Sequence, residues 1–173
     1  MRRIISALVV AALAISLTGC GAGLNASTRQ ITQVTDGVEA SVKTNGNNIK
    51  VVNLLVVAAP LANAVLVGTI VNAADEADSL LGVAIGGNVA KVTGTNILPK
   101  NTPLIFEGDR ANVKAVLAGF AAAAGTRVKV TLFFARAGEI TVDALVRQAV
   151  GEYADITAQT PAASPAPSTT ASN

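Results

Sequence analysis

The first regularity in the chain is alternation. Val38, Ala40 and Val42 alternate with Glu39, Ser41 and Lys43, and Val128, Val130, Leu132 and Phe134 alternate with Arg127, Lys129 and Thr131. Ile140 and Val142 alternate with Glu139, Thr141 and Asp143. A period of two puts successive side chains on opposite faces of a strand, so these segments are expected to be half-buried strands. Ile49 to Ala59 and Ala64 to Asn72 are almost continuously apolar. That is the pattern of strands buried on both faces or at an interface. Pro60 separates the two. Leu80 to Ile85, Val89 to Thr93, Leu104 to Glu107 and Val113 to Leu117 complete the set. Turn signals stand between them: Asn45-Gly46-Asn47-Asn48, Gly86-Gly87, Pro99 and Pro103. Ala121 to Ala124, flanked by glycines, is too short for a stable helix and reads as loop. Eight or nine short strands at this spacing predict an all-β, antiparallel Greek-key β-sandwich.

The N-terminal segment has a different pattern. Arg2 and Arg3 precede an apolar run, Ile4 to Leu17, interrupted only by two serines. At about 14 residues it is shorter than the roughly 20 that span hydrocarbon as a helix, and it fits the apolar region of a secretion signal. The run ends in Leu17-Thr18-Gly19-Cys20, which resembles a bacterial lipobox, and Cys20 is the chain's only cysteine. Residues 1–19 are therefore expected to be a lipoprotein signal peptide, with Cys20 acylated and forming the mature N-terminus. Two acyl chains anchor a protein stably, so the mature chain is expected on the outer face of the cytoplasmic membrane, lipid-anchored and extracytoplasmic. Its one sulfur would be a thioether, closed to disulfide and thiolate chemistry. Residues 20–30 are small and polar and read as a flexible tether. The sandwich is expected over 31–153. Residues 154–173, rich in Ala, Ser, Thr and Pro, are too poor in apolar periodicity to offset their ordering entropy and are expected to be a disordered tail.

Composition narrows the chemistry. The chain is 51% hydrophobic, 14% charged and 3% aromatic, and has no histidine. Without Arg2 and Arg3, eleven basic residues balance eleven acidic ones. A neutral, aromatic-poor domain lacks both the charge and the stacking surfaces of a nucleic-acid binder. The only methionine is Met1, so the mature chain offers no thiol, thioether or imidazole to a soft metal. No cofactor is expected. Without histidine no Ser or Cys has an imidazole base, and no motif supports a Ser-Lys or paired-carboxylate site, so no catalytic residues are expected. The acidic run Asp75, Glu76 and Asp78 lacks the spacing of a calcium loop and reads as a solvated hairpin tip. Phe133-Phe134 puts one ring on each face of a strand, one of them toward the core.

Between Leu66 and Val146 the chain resembles a known family. Four pieces carry the likeness, in order: Gly68-Thr69-Ile70-Val71-Asn72, Asp78-Ser79-Leu80-Leu81-Gly82-Val83, Val116-Leu117-Ala118-Gly119, and Val128 to Phe134 running on to Ala137-Gly138-Glu139-Ile140-Thr141-Val142. Together they resemble the PCu(A)C-type periplasmic copper chaperones over about half the chain. The resemblance implies a cupredoxin-like sandwich, of the same general immunoglobulin-like build. The lipobox followed by Gly-Ala-Gly, and then a segment like Ile49 to Pro60, is more similar to the LpqE-type lipoproteins of actinobacteria, a degenerate branch of that family. The family's copper ligands fall near Val92 and Gly94 and near Lys114 and Val116, none of which is a soft donor.

The resemblance implies a non-catalytic interaction module, an accessory subunit or assembly factor of the actinobacterial cytochrome bcc–oxidase respiratory supercomplex. The membrane, through acyl chains on Cys20, and subunits of that supercomplex are the expected partners; the docking surface is not readable from the sequence. Two other readings remain open at this point. One is a copper-trafficking chaperone for a terminal oxidase, the other a carrier of an apolar ligand between Ala- and Val-lined sheets.

Overall fold

The computed structural model describes residues 36–156. The lipobox residues Leu17, Thr18, Gly19 and Cys20, the tether and the tail from residue 157 onward lie outside the described residues.

Ten strands form where the alternation and the apolar runs place them: β1 (Val38–Val42), β2 (Ile49–Ala59), β3 (Asn63–Asn72), β4 (Asp78–Ile85), β5 (Asn88–Gly94), β6 (Ile97–Leu98), β7 (Leu104–Ile105), β8 (Val113–Ala118), β9 (Arg127–Phe134) and β10 (Gly138–Gln148). One layer contains β1, β2, β3 and β8, and the other β10, β9, β4 and β5. They join where β10 meets β2 and where β5 meets β8, so β2-β10-β9-β4-β5-β8-β3 runs round to β2 as a closed, flattened circuit. The sandwich expected from the sequence stands. Closure satisfies the backbone groups that an open sheet would leave at its edges. One pairing departs from the antiparallel expectation: β10 meets β2 in parallel, Val146 opposite Val56 and Gln148 opposite Ala58.

β2 explains its own sequence. Its register shifts between Val52 and Leu55, and Asn53 takes a positive φ of 53°. The bulge changes parity, so Ile49 and Val51, then Leu54 and Val56, face the core. Leu55 and Val57, on the opposite face, are also fully buried. That double burial is why the segment reads as unbroken apolar chain. The bulge also transfers one edge of β2 from β1, which pairs up to Leu54, to β10, which pairs from Val56. Gly68 of β3 sits under it, where a Cβ would lie 3.0 Å from the Leu54 Cα.

Between the layers lie Phe106, Leu66, Ile70, Leu80, Ile85 and Leu132, with small Ala and Val side chains around them. Each such large side chain contributes roughly 1.5–3 kcal/mol on burial. β10 runs six residues beyond Val142, because Ala144 and Val146 continue the inward alternation. Beyond it a single 3-10 turn, Gly151–Tyr153, brings the Tyr153 hydroxyl to 3.4 Å from Asp36 Oδ2. Arg147 Nε lies 3.1 Å from the same oxygen, and its guanidinium stacks 5.9 Å over the Tyr153 ring. This clasp ties the end of the domain to its beginning.

Candidate functional site

Val92, Gly94, Lys114 and Val116 come together, because β5 and β8 are neighbours: Lys91 lies opposite Val116, Thr93 opposite Lys114 and Gly94 opposite Val113. Alternation divides them. Val92 packs against the core, whereas Lys91, Thr93, Lys114 and Val116 belong to the outward face. Gly94 accepts no side chain at all. Its φ is +96°, and a Cβ would stand 2.4 Å from the Asn112 carbonyl oxygen. The positions able to present a donor are thus Lys91 and Thr93 on one strand and Lys114 and Val116 on the other.

Lys114 dominates this face. Its ammonium lies 3.0 Å from Glu107 Oε1, and the two side chains are only 5% and 14% exposed. Glu107 Oε1 accepts no other hydrogen bond. Burial pushes the Glu107 carboxyl above its ordinary pKa, while the Lys114 charge pulls it back down. A fixed ammonium here repels a cation, and the neighbouring side chains offer a hydroxyl (Thr93), a second ammonium (Lys91) and an alkyl group (Val116). Beside the pair, Val116, Val89, Lys91, Thr93 and Asn63 line a shallow surface groove of about 460 Å³. A second groove of about 380 Å³ lies against the clasp, along Arg147, Gln148 and Tyr153. Burial, with Glu152 and Asp36 close by, raises the Tyr153 hydroxyl pKa.

The acidic run does not converge. Asp75 pairs with Lys100 and Glu76 with Arg136. The Lys100 ammonium holds the Asp75 carboxyl below its ordinary value. Asp78 is buried, and its carboxylate accepts the backbone N–H groups of Ser79 (2.7 Å), Arg136 (2.9 Å) and Ala137 (3.0 Å). It therefore fixes the β9–β10 turn against the start of β4. Among the described residues no three metal-ligating side chains gather. Phe134 enters the core, and Phe133 stays 39% exposed across from Gly82.

Solved structures share this fold. The copper-bound PCuAC domain from PmoF2 superposes with a TM-score of 0.51 at 24% identity, covering 63% of this chain and 98% of that one. The chain has a PCuAC-like fold. The apo PmoF2 PCuAC domain matches at 27% identity and TM-score 0.51, over 64% of this chain and 94% of that one. The apo PCuAC domain from PmoF1 matches at 22% identity and TM-score 0.51, over 63% and 99%. No family model matches the sequence, and no curated protein does.

The sequence left the Lys114–Glu107 pair unread. Its only signal was a lysine inside an otherwise apolar strand, Val113 to Ala118, and its partner comes from outside that strand.

Proposed function

We propose that this chain is a membrane-anchored, extracytoplasmic lipoprotein of the LpqE type, whose PCuAC-like domain serves as a non-catalytic interaction module. In this reading Cys20 carries the acyl chains, and the domain acts as an accessory subunit or assembly factor of a cytochrome bcc–oxidase supercomplex. The observation that carries it is the buried Lys114–Glu107 pair. A PCuAC-like scaffold holds an ammonium where the family's resemblance puts a soft ligand, and the mature chain has no histidine or methionine. Copper(I) selects thiolate, thioether and imidazole, so partner contact replaces metal transfer.

Two measurements test this. Affinity capture of the tagged, acylated chain from membranes in mild detergent is expected to recover haem-containing oxidase subunits. Capture of none, with the supercomplex intact in the same extract, rejects the supercomplex role. Titration of the mature domain with copper(I) against a chromogenic chelator is expected to show no stoichiometric uptake. Tight uptake would restore the copper-trafficking alternative.

A further inference from the structure

Strand direction sorts the connections of the sandwich onto two ends. β2 and β3, β4 and β5, and β8 and β9 each turn back at the same end, and β10, parallel to β2, leaves there too. The turns at 60–62 and 86–87 and the loop at 119–126 contain no charged residue. The opposite end carries Asp75, Glu76, Lys100, Asp109, Arg110 and Arg136 in its connections. At this end, whose turns carry no charge, stand the two most exposed large apolar side chains of the described residues, Leu61 at 93% and Val89 at 81%, with Val150 at 61% beside the exit of β10. Glu152 and Asp155 follow on that exit segment.

Leu61 is also held in an unfavourable backbone. Leu61 and Ala62 take φ values of 63° and 53°, the sign that a type I′ reversal requires and that Asn-Gly supplies without steric cost. A bulky residue in the left-handed region is an outlier that persists only when its surroundings enforce it. Here they do. Asn63 Nδ2 donates to the Pro60 carbonyl at 2.9 Å, and the Phe120 N–H donates to the Ala62 carbonyl at 2.8 Å. The turn is braced, and what it presents to solvent is leucine.

We propose that this end rests on the lipid surface, with Leu61 and Val89 entering the boundary between headgroups and acyl chains. The proposal rests on the acylation of Cys20 put forward above. β1 runs from Val38, opposite Leu54, to Val42, opposite Ile49, so the chain enters the domain from the end that bears Leu61. Asp36, bound to Arg147 and Tyr153, lies on that side. About fifteen residues separate it from Cys20, a reach of at most about 55 Å of chain. A domain tethered so closely meets the surface intramolecularly, and a few apolar tips then suffice. Lys91 and Arg127, in β5 and β9 at this end, offer cations to anionic headgroups beside the carboxylates of Asp36, Glu152 and Asp155. Separate, highly exposed apolar side chains suit a soft apolar medium, whereas a folded partner would have to offer a matching contact for each.

The test uses the full, acylated chain carrying Leu61→Cys, labelled with an environment-sensitive nitrobenzoxadiazole dye and reconstituted in vesicles of phosphatidylcholine and phosphatidylglycerol. Cys20 is blocked by its acyl group, so the label is unique. Val89→Cys repeats the measurement at a second tip, and Asp109→Cys is the control at the far end. The label at position 61 is expected to brighten about twofold, shift to the blue and resist aqueous iodide, while that at 109 behaves as in buffer. Equal quenching of 61 and 109 on the vesicles overturns the proposal. Protection of 61 only in native membranes, never in protein-free vesicles, also overturns it and assigns this end to a protein partner. Intact mass separates failure of the underlying reading: a chain lacking the diacylglyceryl group removes both, and an acylated chain with position 61 in water removes the lipid contact alone.

Discussion

Leu61 sits where a residue chosen for stability would not. A left-handed backbone costs a residue bearing a Cβ about 1–2 kcal/mol, and an exposed side chain regains none of that from packing. The double substitution Leu61→Asn, Ala62→Gly supplies the residues that a type I′ reversal prefers. It is expected to raise the unfolding free energy by about 1–2 kcal/mol, read as a higher urea midpoint at unchanged slope. The same variant should hold less tightly to vesicles, which a turn serving only the fold would not show. Lys91, Thr93 and Gly94 illustrate the converse limit. Their side-chain types were plain in the sequence, but which of them faces outward follows from strand phase, and the exclusion of any side chain at Gly94 follows from the nearby Asn112 carbonyl.

At the scale of the strand, local pattern and long-range pairing separate cleanly. The alternation of β1, β9 and the first half of β10 was legible because each core-facing residue lies two positions from the next. The two-residue strands β6 and β7 were not separable by periodicity, since two residues contain no period; β6 exists because Ser79 and Asp78 of β4 offer it an edge. β2 looked uniformly apolar because a bulge changes its phase midway. On β8, the Lys114–Glu107 pair gives a testable energetic consequence. Breaking it with Lys114→Met leaves the Glu107 carboxylate buried without its counter-charge and should cost about 3 kcal/mol, whereas replacing both, as Lys114→Met with Glu107→Leu, should be neutral or stabilising. Chemical denaturation of the three proteins measures this. The sign with pH follows from the raised Glu107 carboxyl. Its protonated form is favoured by the fold, so its contribution is full below the unfolded value of 4.5 and is lost as pH rises through the folded one. The stability of wild type relative to Glu107→Gln should decline across that window.

For the whole molecule, the closed sandwich and its likeness to PCuAC domains agree with the expected fold class. An ammonium, a hydroxyl and an alkyl group stand on the outward faces of β5 and β8. The anchor is read from the lipobox and belongs to a separate experiment. Cys20→Ala is expected to abolish acylation and either block maturation or release the chain from the membrane, followed by fractionation and intact mass. A variant that stays membrane-bound and is cleaved at the same place would reject the anchor. The proposed lipid-facing end was illegible in the sequence because it is assembled from segments widely separated along the chain, each short and unremarkable alone. Only the directions of the strands bring Leu61, Val89 and Val150 to one end.

The parallel seam between β2 and β10 bears on when the domain can fold. Residues roughly ninety positions apart must meet there, and contacts of such high sequence separation form late. The circuit stays open until Val146 to Gln148 are available. A chain that stopped short of those residues would therefore leave β2 with a bare edge from Val56 to Ala58, the circuit broken at its seam.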